Sequence, residues 1–200
     1  MAKEIILAGY FIEAVELCEK CGYEIIGYTD FKKQNTKHKY LGTDKEFMNN
    51  NAEYRNFPIF IVPDNVFVRE KLYHFYKNNN FMIETVISPS ATISPSAIIG
   101  EGSVICDRCN ISSEVIIGKC ARVNTMANCM HNSEIGDFCI IAPSAVLLGY
   151  VKVLNKAYVG ANATILPHVS ILGGVVGAGA VVTKNFENMT VAGVPAIRLT

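Results

Sequence analysis

From Ile87 onward, one position in six is a large aliphatic residue. The series runs Ile87, Ile93, Ile99, Ile105, Ile111, Ile117, Val123, Cys129, Ile135, Ile141, Leu147, Val153, Val159, Ile165, Ile171. Four places after each comes a small residue or valine, from Ala91 and Ala97 through Ser103 and Cys109 to Val169 and Val175. The ten charged residues between Ile87 and Val175 avoid both slots, and Pro89, Pro95, Pro143 and Pro167 each fall two places after the large slot. A helix repeats at 3.6 and a simple strand at 2, so neither yields a period of six. Short strands separated by turns do, which predicts a parallel β-solenoid with one large and one small inward residue per face. Five coils of three faces account for the ninety residues. The register predicts Ile105, Ile117 and Ile141 buried and Glu101, Asp137 and Lys156 exposed. It slips once, where Ile171-Leu172-Gly173-Gly174-Val175 runs straight into Val176, one residue short. Gly177, Gly179 and Val182 restart it, and the solenoid is expected to end near Lys184, leaving Thr190–Thr200 to cap it or pack outside.

The first 85 residues follow different periods. Ile5-Ile6-Leu7-Ala8-Gly9 is a short apolar run of buried-strand type. Ala14, Leu17, Cys18 and Cys21 then fall at helical spacing, with Gly22 as the stop. A second strand is predicted over Glu24–Asp30 and a third over Phe57–Val62, with a polar, irregular stretch over 31–57 between them. Val68, Leu72 and Phe75 mark one face of a following helix that ends before Asn78-Asn79-Asn80. Strand–helix–strand–loop–strand–helix implies a small parallel sheet. Ligands of such sheets sit beyond the carboxyl ends of the strands. Gly9, Tyr10, Asp30 and Asp64 are therefore candidates for a ligand rim, or else ordinary strand-end turn residues.

Composition sharpens the division. Of 36 charged residues 23 lie in 1–85, as do 15 of the 19 aromatics. The two parts must build their cores differently. Net charge is zero, with 18 basic and 18 acidic residues and no basic run, so electrostatics offers no reason to expect nucleic acid. No window of 18 apolar residues exists to span a membrane, and the acidic residues Glu13, Glu16 and Glu19 argue against a signal peptide. Seven cysteines, an odd number, fit free thiols in a reducing compartment, and a cytoplasmic protein is expected. Cys18/Cys21 and Cys106/Cys109 form two C-x-x-C pairs, but they lie far beyond zinc-finger spacing and read as small buried apolar residues.

Several segments carry a resemblance. They are Ile61–Lys71 with Asp64, Asn65 and Arg69; Val86-Ile87-Ser88-Pro89-Ser90-Ala91; Val123-Asn124-Thr125; Met130-His131; Ile135-Gly136-Asp137-Phe138; Ile141-Ala142-Pro143; and Ala192-Gly193-Val194-Pro195-Ala196. On these the chain resembles the NeuD/PglD-type sugar acetyltransferases, hexad-repeat enzymes that join a nucleotide-binding βα domain to a left-handed β-helix. The implied fold is α/β plus β. It comprises a small Rossmann-like domain over 1–85, a left-handed parallel β-helix over 86–184, and a C-terminal cap or tail over 185–200.

The resemblance implies acetyl-CoA as co-substrate, a nucleotide-linked amino sugar as acceptor, a homotrimer with acetyl-CoA between neighbouring helices, and no metal. It makes His131 the general base beside Asn132. By position, His131 sits two places after Cys129 on an outward corner. Gly149, eighteen residues on, is expected directly beside it, about 4.8 Å away by strand spacing, where it leaves room for a thioester. Ala161, Gly179 and Arg198 are the other expected acetyl-CoA contacts, Arg198 toward a phosphate. Gly9, Tyr10, Asp30, Asp64, Asn65 and Asn124 are the expected contacts to the sugar nucleotide. His168 reads as a surface residue.

The chain departs from the family at four points. Asn132 stands where Glu or Asp is usual, and Ile140 where a second His is common. Ala8–Glu13 keeps one glycine of the glycine-rich loop, and Pro63 replaces a usual glycine. Sugar O-acetylation by the same fold and a non-catalytic β-helix scaffold are the alternatives.

Overall fold

A computed structural model describes residues 3–50 and 52–199, which divide into two compact units, Met1–Val86 and Ile87–Thr200. In the first unit, β1 (Lys3–Ala8) is flanked in parallel by β2 (Tyr23–Thr29) and β3 (Ile59–Ile61). Ile5, Ile6, Leu7 and Ala8 are fully buried, as the continuous apolar run of a central strand covered on both faces requires. α1 (Ile12–Lys20) packs on β2, and α3 (Val66–Asn78) packs on β3.

Three local readings change here. α1 buries Ala14, Val15 and Cys18, while Leu17 is half-buried and Cys21 already forms the cap. α3 buries Arg69, Tyr73 and Tyr76, and Val68, Leu72 and Phe75 are only half-buried. The reason is chemical. The polar ends of the inward residues find partners, so their large bodies fill the core: Tyr76 donates to Asp44, and Arg69 to two backbone carbonyls. The stretch over 31–57 contains α2 (Asp44–Asn49), fixed by a reciprocal capping box between Thr43 and Glu46.

The second unit is a parallel β-helix. Two-residue strands repeat every six residues, and each pairs in parallel with the strand eighteen residues away; Arg122–Val123, for example, lies between Val104–Ile105 and Ile140–Ile141. The large slot is the second residue of each strand and points inward, with Ile105, Ile117, Val123, Ile135, Ile141 and Leu147 buried. Three places after it comes the turn residue, which holds a left-handed φ even where it is not glycine, as at Arg108, Glu114, Asn132, Tyr150 and His168. Stacking imposes this conformation against local preference.

The register holds through the middle coils and loosens at the ends. Ile87 is 36% exposed, and Ile93 and Ile99 are half-buried, because the first coil has a following coil and no preceding one. Asp137 and Lys156 are exposed, but Glu101 is half-buried under the next coil, where its carbonyl accepts the Cys120 N–H. At the slip, Ser170–Val176 forms one unbroken strand that pairs with both Lys152–Leu154 and Tyr158–Val159. Val175 is therefore outward and 38% exposed rather than in a small slot, and Val176 takes the large one. Parallel stacking also runs past Lys184: Phe186–Ala192 lies beside Ser170–Val176, and Ile197–Arg198 returns antiparallel to it.

Candidate active site

His131 occupies a corner of the β-helix and is exposed. Its Nδ1 lies 3.1 Å from Asn132 Oδ1. An amide oxygen can only accept, so in the neutral ring this contact puts the proton on Nδ1 and the lone pair on Nε2. Gly149 lies against the ring on the next coil, with the Tyr150 N–H bonded to the His131 carbonyl at 3.1 Å. A Cβ on Gly149 would stand 2.6 Å from His131 Cε1, so only glycine admits this ring position.

Two further rings complete the corner. Tyr150 meets His131 edge-to-face, with centroids 5.4 Å apart at 87°. His168, another coil on, stacks flat on Tyr150 at 4.9 Å and 5°. The sequence pattern points to neither ring at this site, although Asn132, Tyr150 and His168 are spaced by eighteen, the length of one coil.

The other expected acetyl-CoA contacts lie elsewhere on the β-helix. The register slip places Ala178, not Gly179, over Ala161: Gly179 takes the turn position above Asn162, its N–H donating to the Ala161 carbonyl at 2.8 Å. Ala161 and Gly179 share a corner, with Pro143 one coil before Ala161, and it is a different corner from that of His131 and Gly149. Asn124 lies on that corner too, one residue before Thr125 of the Pro143 column, its amide donating to the Ile141 carbonyl of the next coil at 3.1 Å. Arg198 is exposed and pairs with Val191 at the end of the unit.

In the first unit, Gly9, Tyr10, Asp30 and Asp64 surround one cavity of about 300 Å³, together with Phe11, Val62 and Pro63. It opens beyond the carboxyl ends of β1, β2 and β3, as parallel-sheet topology requires. Gly9 needs its glycine: φ is +94°, and a Cβ would sit 3.1 Å from Pro63 Cδ. Pro63 thus closes the loop tightly over the single remaining glycine. Arg69, 1% exposed, donates to the Pro63 and Asp64 carbonyls at 3.2 and 2.6 Å and braces that rim. Asp30 accepts from the Phe31 N–H at 2.7 Å and from Gln34 Nε2 at 3.0 Å, tying down its own loop. Tyr10 packs on Tyr28 and directs its hydroxyl to Thr36 at 2.6 Å and His38 at 3.3 Å. Burial and the Lys37 ammonium hold the His38 imidazole below its ordinary value, with Glu19 opposing. Asn65 does not line the cavity; it caps α3, accepting from the Phe67 and Val68 N–H groups.

The paired cysteines hold no site. Desolvation pushes the thiols of Cys18 and Cys109 up to about 12, the reverse of what a metal ligand or redox thiol needs. Among the described residues no group of three His, Cys, Asp or Glu side chains could hold a metal ion, and no helix is long and apolar enough to cross a membrane.

A small parallel α/β unit followed by stacked hexads makes up the chain, and along its whole length the chain is similar to solved sugar acetyltransferases. No protein-family model matches it. A histidine-to-alanine variant of the GDP-perosamine N-acetyltransferase of Caulobacter crescentus, solved with CoA and GDP-perosamine, superposes with a TM-score of 0.91. It is 26% identical over 100% of this chain and 98% of that one. The acetyltransferase domain of PglB from Neisseria gonorrhoeae, solved with acetyl coenzyme A, gives 0.90 at 27% identity over 100% of both chains. In sequence, the GDP-perosamine N-acetyltransferase of Escherichia coli O157:H7 is 34% identical over 95 residues, 48% of this chain and 43% of that protein. The match thus spans less than half of that relative.

Proposed function

We propose that the protein transfers an acetyl group from acetyl-CoA to the amino group of a nucleotide-linked sugar. The observation that carries this reading is the His131 corner: an exposed imidazole whose Nδ1 faces Asn132 Oδ1, which puts the lone pair of the neutral ring on Nε2, with a glycine beneath it. It occurs in a chain that matches sugar N-acetyltransferases from end to end.

The amine nitrogen attacks the thioester carbonyl, forming the C–N bond, and His131 Nε2 takes the proton that the nitrogen must lose. The oxyanion of the tetrahedral intermediate is met by the Gly149 N–H. On collapse the C–S bond breaks, and the imidazolium returns the proton to the departing sulfur. Asn132 orients the ring but adds no negative charge, so His131 works without the usual carboxylate. The acceptor is an amine, whose neutral form is already nucleophilic and asks little of a base. That favours N- over O-acetylation.

The cavity at Gly9, Tyr10, Asp30 and Asp64 takes the nucleotide portion of the acceptor. Ala161, Gly179 and Arg198, away from the His131 corner of their own chain, contact acetyl-CoA in a homotrimer, where a neighbouring chain brings a second corner to each His131. Acetyl-CoA and seven free cysteines both suit the reducing cytoplasm.

The test is acetyl transfer from acetyl-CoA to a panel of amino-sugar nucleotides and their hydroxyl analogues, read by thiol release. Turnover on an amine, reduced about 10²–10⁴-fold in His131→Ala with acetyl-CoA affinity retained, is expected. The missing carboxylate places the loss toward the lower end of that range. Turnover on hydroxyls alone would make the protein an O-acetyltransferase, and no turnover on any acceptor would make it a scaffold.

A further inference from the structure

We propose that Tyr150 is a positioning residue that holds His131 in its working orientation, with His168 as its support; this rests on the reading of His131 as general base. A hydrogen bond at Nδ1 leaves the imidazole free to rock about the line from Nδ1 to Asn132 Oδ1. One further contact from the side removes that freedom. Gly149 cannot supply it, having no side chain, and Tyr150 does, edge-to-face at 5.4 Å. An exposed tyrosine would ordinarily sample several rotamers. Here the ring is backed by His168, stacked at 4.9 Å and nearly parallel. The backbone keeps the three rings in step, because Tyr150 N–H bonds to the His131 carbonyl and His168 N–H to the Gly149 carbonyl, each at 3.1 Å. This corner therefore compensates in part for the absent carboxylate, by orientation. The hydroxyl of Tyr150 has no part in it, and His168 acts through Tyr150 alone.

The experiment compares Tyr150→Ala, Tyr150→Phe and His168→Ala in the full chain, each alone and with His131→Ala. Tyr150→Ala is expected to lower kcat about tenfold with the KM for acetyl-CoA unchanged, Tyr150→Phe to restore most of the turnover, and His168→Ala to lose about two- to threefold. None should add to the loss in the His131→Ala background, because each works through that ring. Additive losses there, or Tyr150→Phe as impaired as Tyr150→Ala, would overturn the proposal. Nitrogen NMR of the imidazole gives a readout independent of activity. The parent chain should show one His131 tautomer, protonated at Nδ1, and Tyr150→Ala a mixture. An unchanged single tautomer in Tyr150→Ala overturns the positioning role. If the parent chain transfers no acetyl group, the general-base reading fails by itself, and the tautomer still decides whether Tyr150 fixes the ring.

Discussion

Gly149 lies so close beneath His131 that a Cβ at its position would stand 2.6 Å from the ring Cε1 and 2.8 Å from Nε2. The backbone at Gly149 has no left-handed φ, so the constraint is purely one of space. Gly149→Ala should therefore fold normally and push the imidazole off its place. A displacement of about 1 Å at a reacting group can cost 10²-fold in rate. A loss of about 10–10²-fold in kcat is expected, with a melting temperature close to that of the parent. Unchanged turnover in steady-state assays would show that the ring position does not matter to the reaction.

Ile116 and Ile117 are adjacent and chemically identical, yet 48% and 1% exposed. Only the second fills an inward slot. Ile117→Ala is expected to cost about 2–5 kcal/mol, as core truncations do, and Ile116→Ala under about 1 kcal/mol. Urea unfolding of the two variants measures both, and equal costs would contradict the inward register at this coil.

That register was readable because each hexad commits two positions to the core and the charged residues keep out of them. The end coils were not, since a slot without a neighbour on both sides loses its burial, as at Ile87. The inward face of α3 is hidden in the sequence for a related reason. A pattern that counts Arg69, Tyr73 and Tyr76 as polar cannot see that their polar ends are satisfied and their bodies are inside. The capping box Thr43-Asp44-Lys45-Glu46 was a local signal for α2 that a polar composition concealed. At the site, Gly149 followed from an eighteen-residue step. The same step from Asn132 reaches Tyr150 and His168, but a ring contact depends on rotamers that spacing does not encode. The cavity rim at Gly9, Asp30 and Asp64 was legible from strand order alone, whereas Asn65 proved to be a helix cap.

The thiols should divide by burial. Cys18 and Cys109 are buried, with desolvation pushing both up to about 12 from an ordinary 9.0, while Cys21 and Cys106 are half-buried. At pH 8 a thiol with such a value is thiolate in roughly one molecule in 10⁴. Alkylation of the folded chain should mark Cys21 and Cys106 and spare the other five, and urea should expose all seven. A raised acid pKa favours the protonated, folded form. The stability this supplies is complete below about 9 and is lost as the pH climbs toward about 12. Rapid labelling of Cys109 at pH 8 without denaturant would contradict the burial.

Gly174 and Gly179 both hold a left-handed φ, +85° and +68°, but a Cβ on Gly174 would meet the Met189 carbonyl oxygen at 2.1 Å, whereas one on Gly179 would meet nothing within 4 Å. The difference comes from the slip in the hexad register. Gly173 and Gly174 carry Ser170–Val176 through a corner one residue short, and Phe186–Ala192 packs flush against that corner, with Gly174 opposite Met189. Backbone cannot yield as a side-chain tip can. Gly179→Ala should therefore cost only the left-handed conformation, about 1–2 kcal/mol, and Gly174→Ala that amount plus the displacement of a strand. The functional consequences should run the other way. Gly179 is an exposed candidate for the acetyl-CoA groove, so a methyl group there should raise the KM for acetyl-CoA while the fold persists. Gly174→Ala should lower the melting temperature and leave the KM of the surviving folded fraction unchanged. Thermal unfolding and steady-state kinetics on the two variants test this together. A Gly179→Ala chain with the parent KM would remove Gly179 from the groove, and a Gly174→Ala chain with the parent melting temperature would contradict the close packing of Phe186–Ala192.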